Sequence, residues 1–328
     1  MYGAFIGDIV GSKYEFNNIK TKDFPLFSAG CDFTDDTIMT VAVAKAILLS
    51  REDRFHGKEG SFCETLVRTM QEYGRRYPNP TGAYGGTFAL WLRQDDPKPY
   101  GSFGNGAAMR VSPCGLVAVN MEEALALARA SAVVSHDHPE GIRGAEAVAA
   151  AVFMAKTGRT KEEIGKYIGA HYYDLNFTLA SIRPSYDFDG SCQGSVPQAI
   201  VAFLESESFE DAIRNVISIG GDCDTTGAIT GSIAWTYYAV QGTGYSGWAE
   251  GRLGKDMQAV KDSAQPYLPA EFTEAAEAFH EVCWRRAGTL ARTGFCTPIL
   301  SAAEEAAFHI EWNSPFRPLK HGKKAENA

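Results

Sequence analysis

The sequence predicts a mainly α-helical fold, on three observations. Apolar or amphipathic runs recur at helical spacing, and several are opened by capping residues. No segment shows strand alternation bounded by hairpin turns, and the GxGxxG and GxxxxGK[ST] loops of nucleotide-binding α/β folds are absent.

Taken in order, residues 37–50 are apolar nearly all round apart from Lys45, the pattern of a helix buried on most sides. Residues 61–77 set Phe62, Leu66, Met70 and Tyr73 against Glu64, Arg68 and Glu72, an amphipathic surface helix. Asn120 and Glu123 cap a run that ends at Val134, and Pro139 stands where a first helical turn tolerates it. Gly158 closes that helix, and Thr160 with Glu163 makes a capping box for the next. Residues 196–205 and 209–217 read as two short helices. In residues 225–240, Gly227, Gly231 and Ala234 form a stripe that lets another helix approach closely, so this helix is expected at the centre. Residues 256–292 are helical in composition, and residues 320–328 (KHGKKAENA) are expected to form a flexible polar tail. No linker or repeat divides the chain, so residues 1–319 are expected to form one domain.

Composition narrows the function. Apolar residues at 45% and charged residues at 22% are ordinary globular values, and no apolar run reaches the roughly 18 residues of a membrane span. The start, MYGAFIGDIVGSKYE, is apolar but lacks a basic leader and carries Asp8, so a cytoplasmic protein is expected. Seven scattered cysteines without a CxxC pair read as reduced and structural. A net charge of −9 argues against a nucleic-acid partner, and an anionic ligand would have to be held by something other than bulk charge.

Chemistry concentrates in two acidic stretches, Asp32 to Thr37 (DFTDDT) and Gly220 to Thr226 (GGDCDTT). Asp222 and Asp224 alternate, so in an extended loop both side chains project to one side, where they can grip one ion. The adjacent Asp35 and Asp36 diverge, which suits two neighbouring ions, and Thr34 and Thr225 add hydroxyl oxygens. Those four carboxylates carry −4; one divalent cation leaves −2 and two bring the sum to zero. All the donors are oxygens, so Mg²⁺, with Mn²⁺ or Ca²⁺ as substitutes, is expected rather than Zn²⁺. The competing reading is that Asp and Thr before an apolar run merely cap helices. Paired carboxylates that would repel one another favour metal over caps, and Asp32 is left as a cap or supporting group.

The stretches GAFIGDIVGSKYEF (3–16), FTDDT (33–37), YGSFGNGAAMRV (100–111), SHDHPEGIRGA (135–145) and SIGGDCDTTGAITGSIA (218–234) together resemble the ADP-ribosylglycohydrolases. The matches spread over about seven tenths of the chain, and their order and spacing fit. The resemblance implies an all-α, compact orthogonal helical bundle with a binuclear Mg²⁺ centre at helix N-termini. It also implies hydrolysis of the bond joining C1″ of ADP-ribose to an acceptor, protein or small molecule. Thr34, Asp35, Asp36, Asp222, Asp224 and Thr225 fall on the family's metal ligands, and Glu15 on a glutamate that some members place on a mobile loop beside the metals. Glu15, Asp35 and Asp36 are the catalytic candidates.

Gly104, Asn105 and Gly106 match a turn whose amides meet the substrate's phosphates and ribose, where a plain tight turn is the alternative. Phe103, Tyr84, Gly85 and Gly86 are candidate ligand-side residues, and His136 resembles a histidine that contacts ADP-ribose. His138 reads as a helix-start residue and Asp8 as structural. Ser102 stands where the arginine-directed branch would carry Asp, which favours O-linked acceptors such as serine or O-acetyl. A metal-dependent phosphohydrolase acting on a nucleotide diphosphate and a non-catalytic ADP-ribose binder are the rival readings. Beyond Gln241 no motif stands out, and Trp248, Trp284 and Trp312 are assigned to the core.

Overall fold

The computed structural model describes residues 1–55 and 61–293, and within them helices succeed one another throughout. They are α1 (Tyr2–Ser12), α2 (Asp35–Phe55), α3 (Phe62–Arg76), α4 (Gly86–Trp91), α5 (Gly106–Met109), α6 (Ser112–Val117), α7 (Met121–Val133) and α8 (Pro139–Lys156). The run continues with α9 (Lys161–His171), α10 (Leu179–Ile182), α11 (Cys192–Leu204), α12 (Phe209–Ile217), α13 (Cys223–Ala249), α14 (Lys255–Ala264) and α15 (Ala270–Thr293). Among the described residues, extended pairing is confined to isolated bridges, Thr34 with Thr81 and Gly104 with Ser191. The all-α class expected from the sequence is the class found. The tail 320–328 and Trp312 lie outside the described residues.

The caps fall where the sequence placed them. Asn120 Oδ1 accepts from the Glu123 N–H at 2.8 Å, Thr160 and Glu163 form a reciprocal box, and Gly158 ends α8 with φ +76°. His138 does open α8, its Nδ1 accepting from the Glu140 N–H at 3.1 Å. Residues 256–292 divide into α14 and α15 around a 3₁₀ turn at Gln265–Tyr267 that contains Pro266. The helix expected at 225–240 starts earlier and runs longer, broken only at Gly244 with φ 70° and ψ 167°.

One helix was not anticipated. Residues 2–12 hold three glycines, poor helix formers on their own, yet α1 forms and is buried from Gly3 to Ser12. Its glycines meet the small-residue stripe of α13. A Cβ built on Gly3, Gly7 or Gly11 would lie 2.2, 1.9 and 2.2 Å from the carbonyl oxygens of Gly231, Gly227 and Cys223. The two backbones touch, and tertiary packing replaces the missing local propensity. The stripe therefore does what its composition suggested, with α1 as the unforeseen partner. The aromatic assignments hold only in part: Trp248 is buried, but Trp284 is half exposed on the outer side of α15.

This contact generates a paired expectation. Gly7→Ala forces backbone against backbone and should cost on the order of 3 kcal/mol in urea unfolding. Gly169→Ala, at an exposed position of α9 where an added Cβ meets nothing within 4 Å, should instead gain about 0.5–1 kcal/mol.

Candidate metal centre and substrate cleft

The α1–α13 contact carries Asp8 to the N-terminus of α2. Asp8 is fully buried and accepts from the Thr34 N–H at 3.0 Å, the Thr34 hydroxyl at 2.7 Å and the Thr37 N–H at 3.0 Å. It thus caps α2 from another helix and fixes the Thr34 rotamer. Thr34 Oγ1 also accepts from the Asp36 N–H at 3.2 Å, so this threonine is a cap as the simpler reading held. One lone pair remains for a further ligand.

Of the neighbouring carboxylates, Asp224 takes one amide of the first turn of α13, its Oδ1 accepting from the Thr225 N–H at 2.9 Å, while Asp222 is not spent on a cap. Asp222 occupies the N-cap position of α13 without a side-chain cap bond; its Oδ2 accepts from Asn105 Nδ2 at 2.8 Å. The extended-loop geometry expected for Asp222 and Asp224 is not what is found. Asp222 precedes the helix and Asp224 lies in its first turn, so it is the bend into α13 that turns both carboxylates to one side. Two overlapping groups result, Asp8, Asp36 and Asp224, and Glu15, Asp222 and Asp224, each with oxygens within 4.8 Å of one another. Asp35 lies beside them on the cleft wall, half-buried, and Thr225 Oγ1 is 3.2 Å from Asp36 Oδ2.

Burial and mutual repulsion show in the acidities. Asp35, Asp36 and Asp224 are pushed well above the usual carboxylate range, first by burial and then by the charges of their neighbours. Glu15 rises to about 7 through burial and the charge of Asp222, against a hydrogen bond with Asp224. Asp8 rises to about 6 through burial, against its bonds from Thr34 and Thr37. Asp36 Oδ1 is buried without a hydrogen-bond partner among the described residues. An all-oxygen donor set, clustered negative charge and an orphaned carboxylate oxygen fit a hard divalent cation.

From this end a cleft of about 410 Å³ opens. It brings together Glu15, Asp35, Asp36, Asp222, Asp224 and Thr225 with Tyr84, Gly85, Gly86, Ser102, Gly104, Asn105, Gly106 and His136. Thr34 is buried beneath the floor, and Phe103 does not line the cleft; its exposed ring stands edge-on to His138 at 5.4 Å. The amides of Gly104 and Asn105 are already engaged, to Ser102 Oγ at 3.1 Å and Gly190 O at 2.9 Å. That narrows the expectation that this turn offers its backbone to phosphates, with Gly106 the position left to do so.

Sequence reasoning missed several groups. Gly82 and Ala83, both at positive φ, fold the loop over the acidic end, where a Cβ on Gly82 would sit 2.9 Å from Glu15 Oε2. The dense run of small residues after Pro80 was the available signal. Arg110, Tyr100 and Phe88 also line the cleft, and Phe16 and Phe188 stand exposed at its mouth. Asp32 does not cap α2; its carboxylate accepts from the Phe33 N–H at 2.9 Å and the Thr81 hydroxyl at 2.8 Å, tying that loop down.

A family model described as ADP-ribosylglycohydrolase matches residues 1–242. The chain is similar to ADP-ribosylhydrolase ARH3 of Homo sapiens, 26% identical over 316 residues covering 73% of this chain and 84% of that one. It is also 25% identical over 276 residues to an ADP-ribosylarginine hydrolase of Pseudomonas putida, covering 74% of this chain and 70% of that one. A solved structure, described as an ADP-ribosylglycohydrolase-related protein complex, superposes with a TM-score of 0.58 at 22% identity, covering 87% of this chain and 97% of that one; the likeness is one of fold.

The raised acidities set a pH dependence. A carboxylate whose folded pKa is raised binds more protons in the folded state, so its contribution falls as pH rises from the unfolded value towards the folded one. With Glu15 moved from 4.5 to about 7 and Asp8 from 3.8 to about 6, the protein in EDTA should melt at a lower temperature at pH 8 than at pH 5.5. Added Mg²⁺ should raise the melting temperature more at pH 8 than at pH 5.5, because protons and cation compete for the same oxygens. Thermal melts with and without Mg²⁺ at both pH values read this directly.

Proposed function

The chain belongs to the ADP-ribosylglycohydrolase family, a family of hydrolases, and from that premise we propose that it cleaves the bond between C1″ of ADP-ribose and an O-linked acceptor, protein or small molecule. The observation that carries the reading is the convergence, at one end of one cleft, of Glu15, Asp35, Asp36, Asp222, Asp224 and Thr225 from segments some two hundred residues apart. Two Mg²⁺ ions held there by these groups and Thr34, with Mn²⁺ as a substitute, would supply charge neutralisation, orientation of the ribose hydroxyls and a more acidic water.

The chain's own residues do the rest. Departure of the acceptor builds positive, oxocarbenium-like character on the ribose, which the surrounding carboxylates favour in the transition state over the ground state. Glu15 and Asp35 keep solvent access, whereas Asp36 is 1% exposed and faces the Thr225 hydroxyl. The proton of the attacking water therefore goes to Glu15 or Asp35. Gly85 and Gly86 leave room for close approach of the ligand, since nothing stands within 4 Å of a Cβ on either. Ser102, neutral and on the cleft wall, supports an O-linked acceptor over arginine, which an Asp at this place would suit better.

Residues 1–319 are taken as one catalytic domain. Buried thiols at Cys31, Cys114, Cys192 and Cys223, none of them in a disulfide, support work in a reducing compartment, the cytoplasm. No described helix is long and apolar enough to cross a membrane.

With Mg²⁺, serine-linked or O-acetyl-linked ADP-ribose should release free ADP-ribose faster than an arginine-linked substrate, as chromatography of the products would record. AMP as the product would instead establish the phosphohydrolase reading. Asp224→Asn, which enters both acidic groups, should lower kcat/KM by at least about 100-fold, and EDTA should abolish turnover.

A further inference from the structure

Arg110 is fully buried on the cleft floor; among the described residues no carboxylate is in ion-pair contact with it, the charge of Asp35 acts on it from farther off, and its Nε and Nη1 have no hydrogen-bond partner. A buried guanidinium without a contacting counter-charge is costly, so what its remaining nitrogen touches is informative. Nη2 donates to Ser131 O at 3.0 Å and to Ser135 Oγ at 2.9 Å. Ser135, also fully buried, places the same Oγ 2.8 Å from His136 Nδ1.

We propose that Arg110 and Ser135 are positioning residues that fix His136 as a neutral imidazole with its proton on Nε2, aimed as a donor at an oxygen of the ADP-ribose moiety. A guanidinium has donors only, so Ser135 Oγ must accept from Arg110. The serine's own proton then has Nδ1 as its acceptor, there being no other for it among the described residues. An imidazole that accepts at Nδ1 carries its proton at Nε2. Turning the proton to Nδ1 would leave a buried hydroxyl proton unsatisfied.

Three further observations agree. Burial, and then the positive charge of Arg110, hold His136 well below the ordinary histidine range, so the ring stays neutral. Nε2 lies on the cleft side, 3.1 Å from a Cβ built on Gly106 and 3.5 Å from one on Gly104. The rings of Tyr100 and Phe88, with centroids 5.7 and 6.1 Å away, hold the imidazole plane. The cleft thereby gains a neutral N–H beside the Gly104 to Gly106 turn, a donor whose charge does not change around neutral pH.

The identity of the acceptor rests on the function proposed above, whereas the tautomer does not, so the two are tested separately. Long-range ¹H–¹⁵N correlation spectra of the full chain with ¹⁵N-labelled histidine, with His136 assigned by its loss in His136→Gln, report which nitrogen is protonated. The expected wild-type pattern is a proton on Nε2 and none on Nδ1. Ser135→Ala should shift His136 towards the Nδ1 tautomer and weaken ADP-ribose binding about tenfold by calorimetry, while Arg110→Lys produces a smaller shift. His136→Gln, which keeps an N–H at the reach of Nε2, should bind within about threefold of wild type, and His136→Ala at least about tenfold more weakly. A wild-type ring protonated at Nδ1, or at both nitrogens, overturns the proposal even if neither variant folds. So does an unchanged His136 spectrum in Ser135→Ala. The expected tautomer and shift in a chain that does not bind ADP-ribose would uphold the relay and overturn the ligand assignment.

Discussion

The structure depends on a repulsion that the fold creates and then contains. Asp8, Glu15, Asp36, Asp222 and Asp224 lie in two overlapping groups with oxygens within 4.8 Å, most of them buried. Like charges at that separation cannot all stay ionised without compensation. Part of it is built into the backbone, since α2 and α13 both point their N-termini, the positive ends of their dipoles, at the cluster. Part comes from hydrogen bonds, from Thr34 and Thr37 to Asp8 and from Asn105 to Asp222. The remainder falls to protons or cations, which is why the acidities rise across the whole group. The glycine contact between α1 and α13 belongs to the same account: without backbone-to-backbone approach, Asp8 would not reach the first turn of α2.

What could be read from the sequence was set by range. Caps such as Asn120 and Thr160 satisfy amides three residues away, so their signal is local and the structure repeats it. The acidic clusters were legible because each half is crowded with like charge over a few positions, though Asp222 and Asp224 converge through the bend into α13 and not through an extended backbone. Helix α1 was not legible, because its stability lies in partners more than two hundred residues away. Arg110 was missed for a related reason. An arginine in a stretch of small residues reads as ordinary surface until the fold shows it beneath the cleft, with Ser135 between it and His136. Phe103 is the converse case: its neighbours 102 and 104 line the cleft while its own ring faces His138.

The electrostatics of the cleft bear on how a chain of net charge −9 would take the anionic ligand proposed for it. Its one end is strongly negative and suited to cations; the rest of its lining is Gly-rich and carries His136. A protonated histidine there would add a full charge that the neighbouring carboxylates would also attract. A neutral N–H gives the oxygen its hydrogen bond without entering that competition. Arg110 supplies positive potential from below while its Nη2 donors are turned to Ser131 and Ser135, so it biases the histidine through the serine.

The same economy governs Glu15. The family resemblance places this glutamate on a mobile loop, but here its loop is tied to the loop that carries Asp222. Asn18 Nδ2 donates to Tyr14 O at 2.7 Å, Glu15 O at 2.9 Å and Gly221 O at 2.9 Å, and Asn18 Oδ1 accepts from the Gly221 N–H at 2.7 Å. Gly220 and Gly221 sit at φ +71° and +84°, and a Cβ on them would meet Asn18 Oδ1 at 2.8 Å and the Tyr186 ring at 2.5 Å. Only glycine accepts both the dihedrals and the proximity. Because one amide side chain bonds both loops, the backbone at Glu15 is held to Gly221, the residue before Asp222.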